Sequence, residues 1–156
     1  MRTISLFALA LLVASPVFAA QADTVKTASQ TDAATAVPQF DAAEKCDQFS
    51  QADRYDCLTN MAADSAVTLK QAETKAVEMI DQWFENANFK KLAKTKLKAS
   101  STIFAKYRQA KCSFADSLRG GAIGSAHEIT RLACIADTNA LRALELSYAT
   151  KDMPPP

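Results

Sequence analysis

The sequence is poor in the groups that catalysis and metal binding usually draw on. Its 156 residues include one histidine, His127. A Ser-His-Asp reading would have to recruit Ser117 or Ser125 with a distant acid, and no nucleophile elbow frames either serine. The four cysteines show no C-x-x-C or similar clustered spacing, so a zinc site lacks its ligand pattern. The run Gly-Gly-Ala-Ile-Gly at 120–124 has neither the lysine nor the strand context of a phosphate-cradling loop. Carboxylate pairs such as Asp53/Asp56 and Glu78/Asp81 read as solvated charge on helix faces. No enzyme activity, metal or cofactor is therefore expected. Strand-like alternation and internal repeats are missing too. After residue 19 no stretch is long and apolar enough to span a membrane, so no stable membrane insertion is expected. Glycine is scarce: the three glycines all fall between 120 and 124.

What is present is helical periodicity. At 100° per residue from Phe89 onward, Phe89, Leu92, Ala93, Leu97, Ser100, Ile103, Phe104, Tyr107, Ala110, Phe114 and Leu118 form one broad stripe. Lys91, Lys94 and Lys98 lie opposite. This predicts an amphipathic helix with that stripe buried, and Tyr107 packed in the core with its hydroxyl hydrogen-bonded. Gly120, Gly121 and Gly124 break the helix, because glycine is a poor helix former and readily takes positive φ. A second periodic run follows at Ile129, Leu132, Ala133, Ala136, Ala140 and Leu144. Cys112 lies ten residues before Ala122 and Cys134 twelve after it. An αα-hairpin folded at the glycines would bring both thiols to similar heights, where a disulfide is geometrically reasonable.

Upstream, residues 1–19 read as a secretory signal peptide: Arg2, an apolar core from Ile4 to Val13, and a Val17-Phe18-Ala19 cleavage pattern. No cysteine follows the apolar run, which argues against a lipoprotein anchor. Residues 20–40, rich in Ala, Thr and Gln, cannot bury enough surface to offset their ordering entropy and read as a flexible leader. The helical domain is placed at 41–150 and a disordered tail at 151–156. An even number of cysteines in an exported chain points to two disulfides in an oxidising compartment, periplasmic or extracellular.

Within the domain, Asp41 and Glu44 resemble a capping box and predict a short helix through Phe49. Ser50 and Asp53 offer the next start signals, for a helix running to about Asn86 with a bend near Ala63–Thr68. On one straight helix Cys46 and Cys57 would sit roughly 16 Å apart, against the roughly 4.4–6.8 Å that a disulfide needs. Either the chain turns near Ser50 or these two cysteines are not partners; the turn is the expectation. Local pairing, Cys46–Cys57 and Cys112–Cys134, is accordingly preferred among the three possible connectivities. Asn86-Ala-Asn88 marks the next turn, and the last helix is expected from Ser125 to Ala149. The fold class is all-α: a small helical bundle with an αα-hairpin, stapled by two disulfides.

Charge is segregated. Residues 41–85 carry ten acids and four bases, net −6, whereas residues 86–111 carry eight bases and no acid. Nucleic acid is a poor partner for an exported chain of net charge +1. Interfacial membrane binding is disfavoured on the premise that the apolar stripe is needed for the core. Arg108, at the stripe's flank, is expected either to pair with an acid from 41–85 or to lie in a binding surface. The glycine loop is a candidate contact surface.

The stretch from Leu97 resembles the lysozyme inhibitor LprI-like N-terminal domain family of small secreted bacterial domains, whose signature is close to L-R-x-x-Q-x-x-W-x-x-Y-R-D-x-x-C. A glycine-rich turn follows, then a cysteine and, eight residues on, an arginine. The chain keeps Leu97, Lys98 (for Arg), Tyr107, Arg108, Cys112, Gly120, Gly121, Cys134 and Arg142. It departs at Ser101, Phe104 and Gln109, and shows no L-N-x-x-Y element. Cys46 and Cys57 fit the family's N-terminal cysteines. The resemblance implies an exported, non-enzymatic binding protein that inhibits a lysozyme-type muramidase. The alternative is an envelope structural or adaptor module that binds another periplasmic protein or a cell-wall component. The residues expected to meet a protein partner are Arg119, Gly120, Gly121, Gly124 and Ser125.

Overall fold

A computed structural model describes residues 40–153. The expected signal peptide and all of the expected leader except Phe40 lie outside that range, as do Pro154, Pro155 and Pro156 of the tail. Among the described residues there are four helices and no strand: α1 (Ala42–Cys46), α2 (Gln51–Gln82), α3 (Ala87–Ser117) and α4 (Ala126–Thr150).

The helix ends follow local chemistry. The Asp41 carboxylate accepts from the Glu44 N–H at 2.9 Å and starts α1. That helix stops at Cys46, earlier than the expected Phe49, because residues 47–50 form the turn that separates it from α2. Ser50 and Asp53 prove to be two halves of one cap. The Ser50 Oγ accepts from the Asp53 N–H and donates to Asp53 Oδ2 at 2.7 Å. The turn between the helices brings the Cα atoms of Cys46 and Cys57 to 6.0 Å, and the two are joined as expected. α2 then runs uninterrupted through residues 63–68, where a bend was expected. The hydroxyls of Ser65 and Thr68 bond carbonyls of their own helix, at Ala62 and Asp64, and do not draw the backbone out of it. Asn86 caps α3 by accepting from the Asn88 N–H, and Lys94 pairs with Asp81 at 2.6 Å across the α2–α3 turn.

α2 and α4 make the main interface. They run parallel: Leu58 and Ala62 share a core cluster with Ile129, Leu132, Ala133 and Ala136, while Leu69 clusters further along with Ala143 and Leu146. Alanines recur on both facing surfaces, which lets the two axes approach closely. α1 closes the first cluster with Ala42 and Cys46. α3 lies antiparallel on α4, joined to it by the Cys112–Cys134 disulfide with Cα atoms 5.5 Å apart. The hairpin and both disulfides are as expected.

The stripe on α3 is not. Cys112 is its one buried residue, and Leu97 and Phe104 are half-buried against the Leu69 cluster. Phe89, Leu92, Ile103, Tyr107, Phe114 and Leu118 are exposed; Tyr107 keeps 55% of its surface. The eleven-residue stripe merges two faces. Ala93, Leu97, Phe104, Arg108 and Cys112 centre on the inward side, whereas the bulky exposed residues centre about 110° further round. α3 makes most of its contacts with α4 and few with α2, so the second face stays uncovered. On α4, Ile129, Leu132, Ala133 and Ala136 are buried as expected. Further along, Asn139, Ala143 and Leu146 take the inner face, and Ala140 and Leu144 are half-buried.

These placements separate core from surface by mutation. Leu58 is fully buried, so Leu58→Ala should cost about 2–5 kcal/mol in urea denaturation. Ile103→Ala, at a position 67% exposed, should stay within about 0.5 kcal/mol of wild type.

Candidate functional site

The inner end of α3 is held by polar contacts at the centre of the molecule. Asn139 is completely buried. Its Oδ1 accepts from the Arg108 guanidinium at 2.6 Å, and its Nδ2 donates to Ser65 Oγ at 3.0 Å. One amide thus ties α3 and α2 to α4. Arg108 thus makes no ion pair with an acid from 41–85; its hydrogen-bond partner is an amide inside the bundle, and it also lines the open groove between α2 and α3. Its guanidinium also lies 5.9 Å from the Phe104 ring centre, and that of Arg142 lies 5.7 Å from the same ring. Arg142 further donates to Ser100 at 2.6 Å and pairs with Glu145. Phe104, Arg108 and Arg142, with Leu97 beneath, thus form a clamp between α3 and α4. These residues hold the scaffold together. Tyr107 stands at the outer edge of this contact, on a groove it lines with Leu141 and Glu145 of α4, and Lys111 Nζ lies 5.9 Å from its ring centre.

The other end of the hairpin carries the loop. Leu118 ends α3, and Gly120 turns the chain at φ +55°. Gly124 turns it again at φ +69°, where an added Cβ would lie 3.3 Å from the Gln51 amide nitrogen of α2. A side chain at 124 would meet both the left-handed backbone penalty and that neighbour. Gly121 is not left-handed. Ser125 occupies the N-cap position of α4 but makes no side-chain capping bond. Below the loop, His127 Nδ1 and Asp116 Oδ1 lie 2.7 Å apart across the hairpin, one turn beyond Cys112 on α3 and two turns before Cys134 on α4. Ser117 donates its hydroxyl to the Phe114 carbonyl, so it does not complete a triad with that pair. Arg119, Gly120 and Gly121 are exposed, and Ile123 is 88% exposed at the tip. The structure thus groups Arg119, Gly120, Gly121, Gly124 and Ser125 on one projecting loop with a fixed base. Among the described residues no group of three or more His, Cys, Asp or Glu could hold a metal ion.

Two charged features went unanticipated. Asp137 reaches from α4 to accept from the Ala42 N–H at 2.9 Å and so anchors α1. Burial pushes its carboxyl above the ordinary range, although the Ala42 hydrogen bond pulls the other way. Glu128, in the first turn of α4, is held below the ordinary range chiefly by its hydrogen bond with Arg131. Neither residue stands out in the sequence, because each becomes special only through its neighbours. Asn139 did leave a signal: it is a polar residue at i+3 from Ala136 and i−4 from Ala143, on the buried face of α4.

A family model, that of lysozyme inhibitor LprI, matches residues 41–146. The chain belongs to the LprI family. The match begins at the residue that caps α1 and ends at Leu146, so it covers both disulfides, the Asn139 linkage and the glycine loop. No curated protein and no solved structure matches the chain. The LprI name describes an inhibitor, a role exercised by binding another protein.

Two outcomes follow from this geometry. Asn139→Ala strips Arg108 of its amide acceptor and should cost about 2–3 kcal/mol in chemical denaturation. For Asp137 the folded-state pKa is raised, so its contribution to stability is complete below about pH 4 and is lost as pH rises through the folded value. Asp137→Asn keeps an oxygen for Ala42 but cannot titrate. Relative to wild type it should gain stability when the pH is raised from about 4 to 7. Identical pH responses of the two proteins would contradict the assignment.

Proposed function

We propose that this LprI-family chain is an exported, non-enzymatic inhibitor of a lysozyme-type muramidase, and that it engages the enzyme through the loop between α3 and α4. The observation that carries the reading is Ile123, 88% exposed at the tip of a loop whose base is fixed by a disulfide and by the Asp116–His127 contact. A pre-ordered loop loses little conformational entropy on binding. Such a projection suits the cleft of a glycosidase, whose working parts are two carboxyl groups flanking the scissile bond. Arg119, next to the tip, supplies a cation for those carboxylates. The start of α2, with Asp53 and Asp56, lies at the same end of the bundle, since Gln51 packs against Gly124. Together with the acid excess of residues 41–85, it favours approach to a basic enzyme. Two closed disulfides suit a periplasmic or secreted protein.

The test is a cell-wall lysis assay in which the mature protein is titrated against hen-type and goose-type lysozymes. Inhibition of at least one class is expected. Ile123→Asp and Arg119→Glu, both at exposed loop positions, should each weaken it by about tenfold or more without changing helix content. Absence of inhibition at large molar excess defeats the proposal. Inhibition that survives both substitutions moves the contact away from the loop.

A further inference from the structure

The outer face of α3 has no partner among the described residues. Phe89, Leu92, Ile103, Tyr107 and Phe114 follow one another at three- or four-residue steps, or sums of such steps, and all are exposed; Ile103 and Phe114 keep 67% and 66% of their surface. At 100° per residue they occupy about 60° of the helix circumference and extend for about 38 Å. Lys96 divides the face into two apolar groups, Phe89 with Leu92 and Ile103 with Tyr107 and Phe114, which is still more than the single scattered apolar residues normal on a soluble surface. The core does not use it, because the inward side of α3 is formed by Leu97, Phe104, Arg108 and Cys112. The premise against interfacial membrane binding, that the apolar stripe is needed inside, therefore fails.

The charges on this helix single out an occupant. Lys96 lies within the row, and Lys106 and Lys111 border it on opposite sides. All three are exposed, and none has an ion-pair partner among the described residues. No acid occurs between residues 86 and 111. We infer that α3 is an interfacial docking helix whose outer face seats on the surface of an anionic phospholipid bilayer.

Aromatic and aliphatic side chains in one row, bordered by lysines, can enter the acyl boundary while the ammonium groups reach up to the phosphates. Tyr107, with its apolar ring and polar hydroxyl, suits the headgroup level. A second copy of the chain is the poorer occupant, because two such faces would bring rows of unpaired lysines together. No described helix is long and apolar enough to cross a membrane, so the attachment is peripheral. The proposal is independent of the loop reading: it uses neither Arg119 nor Ile123.

The experiment is co-sedimentation of the mature protein with phosphatidylcholine vesicles, with and without phosphatidylglycerol. Binding is expected with the anionic lipid and should fall by about tenfold or more on raising the salt concentration. Ile103→Asp/Phe114→Asp should weaken it about tenfold or more, and Lys96→Glu/Lys106→Glu likewise, with helix content unchanged. A second readout needs no loss of binding. In a Trp83→Phe background, Tyr107→Trp should show a blue-shifted emission when anionic vesicles are added. No partition onto anionic vesicles overturns the inference, as does equal binding by wild type and Ile103→Asp/Phe114→Asp. So does a concentration-dependent dimer that this double variant dissociates, which would give the face to a second copy of the chain.

Discussion

A single buried amide sets the relation among the three long helices. The two ends of the Asn139 side chain reach in opposite directions, to Arg108 on α3 and to Ser65 on α2. Apolar packing between alanine-rich faces is tolerant of sliding, since one small side chain can replace another with little change in buried area. A hydrogen bond across the same interface is not tolerant, because a shift of one residue leaves a buried donor or acceptor without a partner. The linkage therefore fixes the axial position of α2 and α3 against α4. What lies further out inherits that register. The Arg108–Phe104–Arg142 clamp stacks above it, and the cysteines of the hairpin meet below it.

The loop at the hairpin's end draws its order from several kinds of constraint. The disulfide and the Asp116–His127 contact hold the helix ends together, and Gly124 lets the loop press against the start of α2. The Ser50–Asp53 cap and the Cys46–Cys57 disulfide secure that start in turn. The whole of this end is covalently and sterically tied, and its apolar tip still faces solvent. That combination gives a protein partner a defined shape to recognise. The family signature mostly records the scaffold. Leu97, Arg108, Cys112 and Arg142 serve the interior, whereas Lys98 and Tyr107 are exposed.

Much of this was readable from residue order because it depends on local rules. Helix starts at Asp41, Ser50 and Asn86 come from side chains that accept nearby backbone N–H groups. The preference for local disulfide pairing rests on an expected turn near Ser50 and on helix rise, and the hairpin on the only glycines in the chain. The α3 surface was misread because periodicity shows which residues share a side of a helix and not how much of that side a neighbour covers. With α4 as its main neighbour, α3 shelters a narrow strip, and one broad apolar arc then divides into a core edge and a bare flank. Asp137 was unreadable for a related reason: its role depends on α1 arriving beside it from 95 positions away. Asn139 was overlooked although its place on the buried face of α4 was visible.

The parallel packing of α2 and α4 carries a kinetic consequence. Ser65 and Asn139, at the middle of that interface, are 74 positions apart, and the whole of α3 lies between them. Contacts so distant in the chain are costly to nucleate, and a chain emerging N-terminal end first makes α2 long before its partner exists. The Leu58–Leu69 surface must wait, uncovered, until α4 is released. The Cys46–Cys57 link can close early and hold α1 over one end of that surface. The rest of it depends on the last quarter of the polypeptide, so a chain cut short before α4 would leave α2 as an exposed apolar rod.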